Sequence, residues 1–236
     1  MERGHYLAYE ARTTGDIRAA QRFRAACFGL QQAEDADPYD IHATHVLIKC
    51  LRSDALVCCF RMLNVQGSAI DQSYSAQFYD LRPLQRYAGA MLEIGRFCSA
   101  QDMSDPDVLR LAWAVITRHV DAKRVSLLFG STSFAGVSAA PYAQAFALLR
   151  AHHQAPTRWT PRCKSRDVVA FAAVENLDLA VARRQTPPLL RSYLTMGGWV
   201  SDHAVIDRQM NTMHVFTAVE VARIPPTRQK LLRALS

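Results

Sequence analysis

Apolar and polar positions along this chain follow two periods, and the switches between them mark its elements. Residues 6–11 alternate over a strand's length, and Thr14-Gly15-Asp16 then leads into a 3.6-residue periodicity over 17–27, with Asp16 placed as the N-cap. An acidic loop at 31–40 separates this helix from two strand-like runs, 45–51 and 55–65, which read as a hairpin. Residues 90–99 form a further strand that holds a glycine and two charges, a composition that suggests a β-bulge at Gly95 beside a site. Asp105-Pro106 starts a helix through 120 with the apolar face Val108, Leu111, Ala112, Val115, Ile116 and His119. A strand at 125–134, a helix at 141–152 and a strand at 168–174 follow. A helix at 187–196, stopped by Gly197-Gly198, and strands at 199–206 and 214–221 complete the chain. This order predicts an α/β fold, a mixed sheet flanked by helices. Prolines cluster only at short joints and no repeat occurs, so one domain over 1–236 is expected.

Composition narrows the class. With 236 residues, half of them apolar, the chain supports a sizeable core without staples. The six cysteines show no CxxC pair, and five sit in apolar runs, which points to a reducing compartment. The first 16 residues lack an apolar signal-peptide core, and no apolar run approaches the roughly 18 residues that cross a bilayer. A cytoplasmic protein is therefore expected. A net charge of +7 favours acidic partners, but the basic residues are scattered rather than striped with aromatics, which disfavours nucleic acid. The densest basic stretch, RIPPTRQKLLR at 223–233, reads equally as a solvated tail or as a docking strip for an anionic membrane or a carrier protein.

Ionisable groups recur at positions that converge if the sheet is a central platform: Arg24, Asp37, Asp40, Arg61, Glu93 and Arg96. Arg61 lies between Phe60 and Met62, so it either faces solvent or pairs with a buried acid. Glu93 and Arg96 fall on opposite strand faces unless a bulge at Gly95 rotates one back. A structural ion-pair network linking Glu93, Arg61 and Arg24 and a catalytic site are both open at this level. His42 and His45 have an H-x-x-H spacing without the H-E-x-x-H helix context or a third ligand, so no metal is expected. Paired His152-His153 suit a helix C-terminus, and Ser131, Thr132 and Ser133 lack the nucleophile elbow of serine hydrolases.

Several segments in order resemble the hemolysin-like acyltransferases of the GNAT superfamily, most closely the bacterial enzymes that make lyso-ornithine lipid. They are AAQRFR (19–24) leading to Phe28, LEIGRFC (92–98), LFGSTSFAG (128–136), LRAHHQAP (149–156) and PPLLRSYLTMGGWV (187–200) running on to Asn211-Thr212. The first half is also similar to acyl-homoserine lactone synthases, whose pattern is echoed by Arg24, Phe28, Asp37, Asp40, Arg61, Glu93 and Arg96. The tryptophan usual after their first helix is missing from 29–36.

The resemblance implies a GNAT-like, mostly antiparallel central sheet and an N-acyltransferase that moves a (3-hydroxy)fatty acyl group onto the α-amine of an amino acid, ornithine or glutamine. A lactone synthase using S-adenosylmethionine and a non-catalytic carrier-protein or membrane module stand as alternatives. Residues 99–107 offer no glycine for a coenzyme A pyrophosphate loop, so acyl carrier protein is the implied donor, with no cofactor and with peripheral contact at an anionic membrane face. Glu93 is the implied base. Arg24, Phe28, Asp37, Asp40, Arg61, Arg96, Ser131 and Ser133 are the implied substrate-binding set.

Overall fold

The computed structural model describes residues 1–101, 103 and 105–235, so two positions of the 99–107 segment, 102 and 104, lie outside the described residues. In chain order the strands are β1 (Glu2–Arg3), β2 (Tyr6–Glu10), β3 (Thr44–Cys50), β4 (Leu56–Val65), β5 (Tyr79–Asp80), β6 (Ala90–Ser99), β7 (Val125–Ala135), β8 (Arg162–Cys163), β9 (Val168–Ala170), β10 (Trp199–Val200), β11 (His203–Asp207) and β12 (Thr212–Glu220). The helices are α1 (Thr14–Phe28), α2 (Pro106–Lys123), α3 (Ala143–His152), α4 (Leu179–Gln185), α5 (Pro188–Thr195) and α6 (Pro226–Arg233). No described helix is long and apolar enough to cross a membrane. The chain forms two compact units. One comprises Met1–Asn64, Leu92–Val125 and Pro226–Ser236, the other Val65–Met91 and Ser126–Pro225.

In the first unit the strand order is β1-β2-β3-β4-β6. The expected hairpin is present: β3 and β4 pair antiparallel with His45 opposite Arg61, which lets a polar pair face one way inside two largely buried strands. α1 starts three residues earlier than its sequence suggests. Thr13, not Asp16, is the N-cap, and Asp16 is the N3 partner of a capping box that satisfies two orphan donors at once. The helix ends at Gly29, whose φ of 64° suits a residue without Cβ. One stripe of α1 packs on Leu47, Cys59 and Cys98 through Ala20, Phe23, Cys27 and Phe28. Its neighbouring stripe is polar yet buried, holding Gln21 and Arg24. Asp105 caps α2 with Pro106 at the first turn, as expected, while the buried face adds Trp113 and Ala114. His119 is half-buried and meets Asn64 Oδ1 at 3.1 Å, so it borders that face rather than filling it.

In the second unit the order is β7-β12-β11-β9, with β10 also on β12. β7 and β12 pair antiparallel over nine residues, which assigns every side chain a face. Phe134, Met213, Val215 and Ala204 pack against Phe146 and Leu149 of α3 and Leu190 of α5. Ser131, Ser133, His214 and Phe216 lie on the opposite face of the ladder. Three expectations need correction here. The run 199–206 breaks into β10 and β11, the strand at 168–174 stops at Ala170, and α4 and α6 form where no helix was expected. Only Cys58, Cys59 and Cys98 of the six free cysteines are buried, and Cys163 is exposed.

Gly198 follows α5 where the backbone doubles back, and a Cβ there would sit 2.6 Å from the Tyr193 carbonyl oxygen and 3.1 Å from Val219. Backbone cannot yield as a flexible side chain can. Gly198→Ala is expected to lower stability by about 1–3 kcal/mol, read as a lower denaturant midpoint with an unchanged slope.

Candidate active site

Asp40 is the hub of the first unit's polar interior. Its carboxylate accepts Arg24 Nη2 at 2.9 and 3.1 Å, Arg61 Nη1 at 2.7 Å and Gln21 Nε2 at 2.8 Å, and the residue is 5% exposed. The sequence builds this locally. Gln21 and Arg24 lie three apart on α1 and so share a face, while the 31–40 loop folds back until the Asp35 N–H bonds the Gln21 carbonyl at 3.1 Å. Arg24 also donates Nε to Asp35 Oδ2 at 2.9 Å and Nη2 to the Asp35 carbonyl. Arg61 donates Nη1 to Asp37 Oδ1 at 2.6 Å, with its guanidinium 5.7 Å from the Tyr39 ring. Arg96 pairs with Asp35 at 2.9 Å and with Asp37 at 3.2 Å.

Three guanidinium groups thus interlock with three carboxylates. Burial alone would raise the Asp40 carboxyl pKa, but hydrogen bonds from Arg24, Gln21 and Arg61 outweigh it and hold the group well below the usual carboxylate range. His45, buried between them, contacts Arg24 Nη1 through Nδ1 at 3.4 Å and the Asp40 carbonyl through Nε2 at 3.0 Å. Arginine has only protons to give, so Nδ1 accepts and Nε2–H donates, which assigns the neutral tautomer. Burial pushes the imidazole pKa down despite the Asp40 carbonyl, in keeping with that assignment.

Glu93 lies on β6 between Leu92 and Ile94, and all three are buried. A bulge is expected at Gly95; the left-handed backbone of this strand falls on its neighbour Arg96, at φ 53°. For a residue with a Cβ this conformation costs about 1–2 kcal/mol. Gly95 lies beside Arg61, at a distance where a Cβ would make only ordinary contact. A Cβ at Gly95 would lie 3.5 Å from Arg61 Nε and 3.7 Å from its Cγ, so Arg61 runs across the glycine.

The structure brings Arg24, Asp37, Asp40, Arg61 and Arg96 into one network and answers the question of Arg61, which pairs with buried acids. The arginines meet the loop aspartates Asp35, Asp37 and Asp40. Phe28 sits in the apolar stripe beneath α1. Ser131 and Ser133 belong to the second unit, the former 3.3 Å from Ser75 Oγ and the latter exposed. Sequence reasoning missed Asp35, Gln21 and His45 as members of the network. The D-x-D-x-x-D spacing of Asp35, Asp37 and Asp40 was the available signal for the first.

Asp40→Asn would leave Arg24 and Arg61 buried with half their counter-charge, and a loss of about 3–5 kcal/mol is expected. Because the folded-state pKa of Asp40 is depressed, its stabilisation is full above the ordinary carboxyl pKa of about 4 and declines as pH falls below it. Urea titrations at pH 7 and pH 3 should show wild type weakening with acid, and the variant weakening less.

A GNAT acetyltransferase domain model matches residues 20–114, the segment that holds the whole network and Glu93. The L-ornithine N(alpha)-acyltransferase of Rhodobacter capsulatus is 32% identical over 236 residues, covering 91% of this chain and 90% of that protein. The enzyme of the same name from Brucella abortus is 29% identical over 244 residues, covering 91% and 84%. Among solved structures, a CoA-dependent acyl-homoserine lactone synthase with MTA superposes with a TM-score of 0.50 at 12% identity, covering 96% of this chain and 86% of that one. That likeness is one of fold.

Proposed function

The chain belongs to the L-ornithine N(alpha)-acyltransferase family and is an acyltransferase with a GNAT-like fold, and from that premise we propose that it transfers a 3-hydroxy fatty acyl group from acyl carrier protein to the α-amine of ornithine. The observation that carries the reading is the buried carboxylate of Glu93, three residues before the left-handed Arg96 that ties β6 into the aspartate loop.

The acceptor arrives with its α-amine protonated and must lose a proton before it attacks the thioester carbonyl. Glu93 takes that proton. The new C–N bond forms as the carbonyl π electrons move to oxygen, and collapse of the tetrahedral intermediate breaks the C–S bond. The pantetheine thiolate leaves and takes up a proton. Arg24, Arg61 and Arg96 are each already met by loop carboxylates, so their first task is to frame the site rather than to wait for a substrate carboxylate.

Charge balance favours ornithine over glutamine. Asp35, Asp37, Asp40 and Glu93 give four carboxylates against three arginines, a surplus of one negative charge that suits an acceptor with two ammonium groups and one carboxylate. Glutamine brings no net charge. The +7 balance of the chain suits an acidic carrier protein and product release at an anionic membrane face.

Purified enzyme given 3-hydroxyacyl carrier protein should release free thiol on addition of ornithine, with kcat/KM about tenfold or more above that for glutamine. Thiol release with S-adenosylmethionine alone would make the chain a lactone synthase, and none with any acceptor would remove the reading. Glu93→Gln should lower kcat about a hundredfold or more. Near-normal turnover by a folded variant would leave Glu93 a structural residue.

A further inference from the structure

The second unit holds a group of buried polar side chains that the acyl-transfer chemistry above does not use. Tyr79 is fully buried, with its ring centroid 5.3 Å from that of His203 and 5.7 Å from that of His214. In the ladder His214 lies opposite Val205, two residues from His203, so the two imidazoles share one sheet face on adjacent strands. Their surroundings are apolar: Phe78 is edge-on to His214 at 4.8 Å, and Phe216 is 5.7 Å from Tyr79.

The hydrogen bonds assign the state of His214. The Tyr79 phenol has one proton, which it gives to the His214 carbonyl oxygen at 2.8 Å. Its 3.2 Å contact with Nδ1 must then be made by an Nδ1–H donating to the phenol oxygen. Burial pushes the imidazole pKa down to about 4, so the ring is neutral at pH 7 and Nε2 carries a lone pair. Among the described residues nothing hydrogen-bonds that buried Nε2. His203 repeats the pattern, with Nδ1 2.6 Å from Asp202 Oδ1 and a buried Nε2 that no described group reaches.

An unmet buried acceptor is uncommon, since a phenylalanine at that position would fill the space without the penalty. A metal ion needs more ligands than this, and no group of three metal-binding side chains occurs among the described residues. What complements a neutral imidazole lone pair in apolar surroundings is an uncharged donor on an otherwise apolar molecule. Ser133 stands directly across the ladder from His214 and is exposed, and so forms the outer rim of this face.

We propose that His214, positioned by Tyr79, is the acceptor for a hydroxyl group carried on an acyl chain, and thereby selects hydroxylated acyl donors over plain ones. The inference rests on the acyl-transfer reading for the identity of the chain, but its test needs binding only. Calorimetric titration of the full chain with S-(3-hydroxydecanoyl)pantetheine and S-decanoylpantetheine should give about tenfold tighter binding of the hydroxylated probe. His214→Phe should bring that ratio close to one, and His214→Gln, whose side-chain oxygen can accept, should restore part of it. In wild type the His214 Nε2 nitrogen resonance should move upfield with the hydroxylated probe alone.

Equal affinities in wild type, an unchanged ratio in His214→Phe, or a resonance that ignores the hydroxyl because water alone meets Nε2 would each overturn the proposal. The resonance measurement decides the matter if the variants do not fold. Binding selectivity without thiol release would leave this inference standing and remove the proposed reaction. Thiol release without hydroxyl selectivity would do the reverse.

Discussion

Taking three guanidinium groups and three carboxylates out of water costs several kcal/mol per ion, and mutual attraction offsets that only when the geometry is good and the remaining donors and acceptors are met. Around Asp40 this condition is satisfied by interlocking. Each arginine reaches two aspartates, Gln21 fills a further acceptor position, and His45 stays neutral between Arg24 and the Asp40 backbone. Such an arrangement is sensitive, because removing one member strands the others. Its use is to fasten α1, the 31–40 loop, β4 and β6 to one another through groups that tolerate little displacement.

That fastening bears on the chemistry. β6 carries both Glu93 and Arg96, and the unfavourable left-handed backbone at Arg96 is retained where the side chain ties into Asp35 and Asp37. Arg61 passes beside Gly95 at the same point. In the proposed reaction Glu93 needs a fixed position more than a large perturbation, and a strand held by ionic contacts suits that role.

The two units use polarity differently. The first buries full charges and balances them, whereas the second buries the neutral imidazole of His214 and a phenol within aromatic surroundings. Charge is suited to an amino acid with ammonium and carboxylate groups. Neutral acceptors are suited to a hydroxyl on a hydrocarbon chain, where an ion would be too costly to desolvate.

Much of the fold was legible in the pattern of apolar residues, because α1, α2, the β3–β4 hairpin, β6, β7 and β12 bury continuous stripes or runs whose periodicity is local. The short elements were not, since β10, β11, α4 and α6 depend on neighbours rather than on their own propensity. For the site, the residue types and the charged strand at Glu93 and Arg96 stood out from sequence, as did Arg24, Asp37, Asp40 and Arg61. Which acid meets which base did not. Asp35 with Arg96 and Asp40 with Arg61 are pairings between distant segments, and only the packing of α1 on the sheet brings them within hydrogen-bond reach. Local sequence thus set the long elements and the supply of charges. Tertiary structure alone decided that the arginines frame an aspartate loop, that the left-handed turn of β6 falls on Arg96 rather than Gly95, and that two histidines on different strands share one buried face, because each of these depends on distances that no local period encodes.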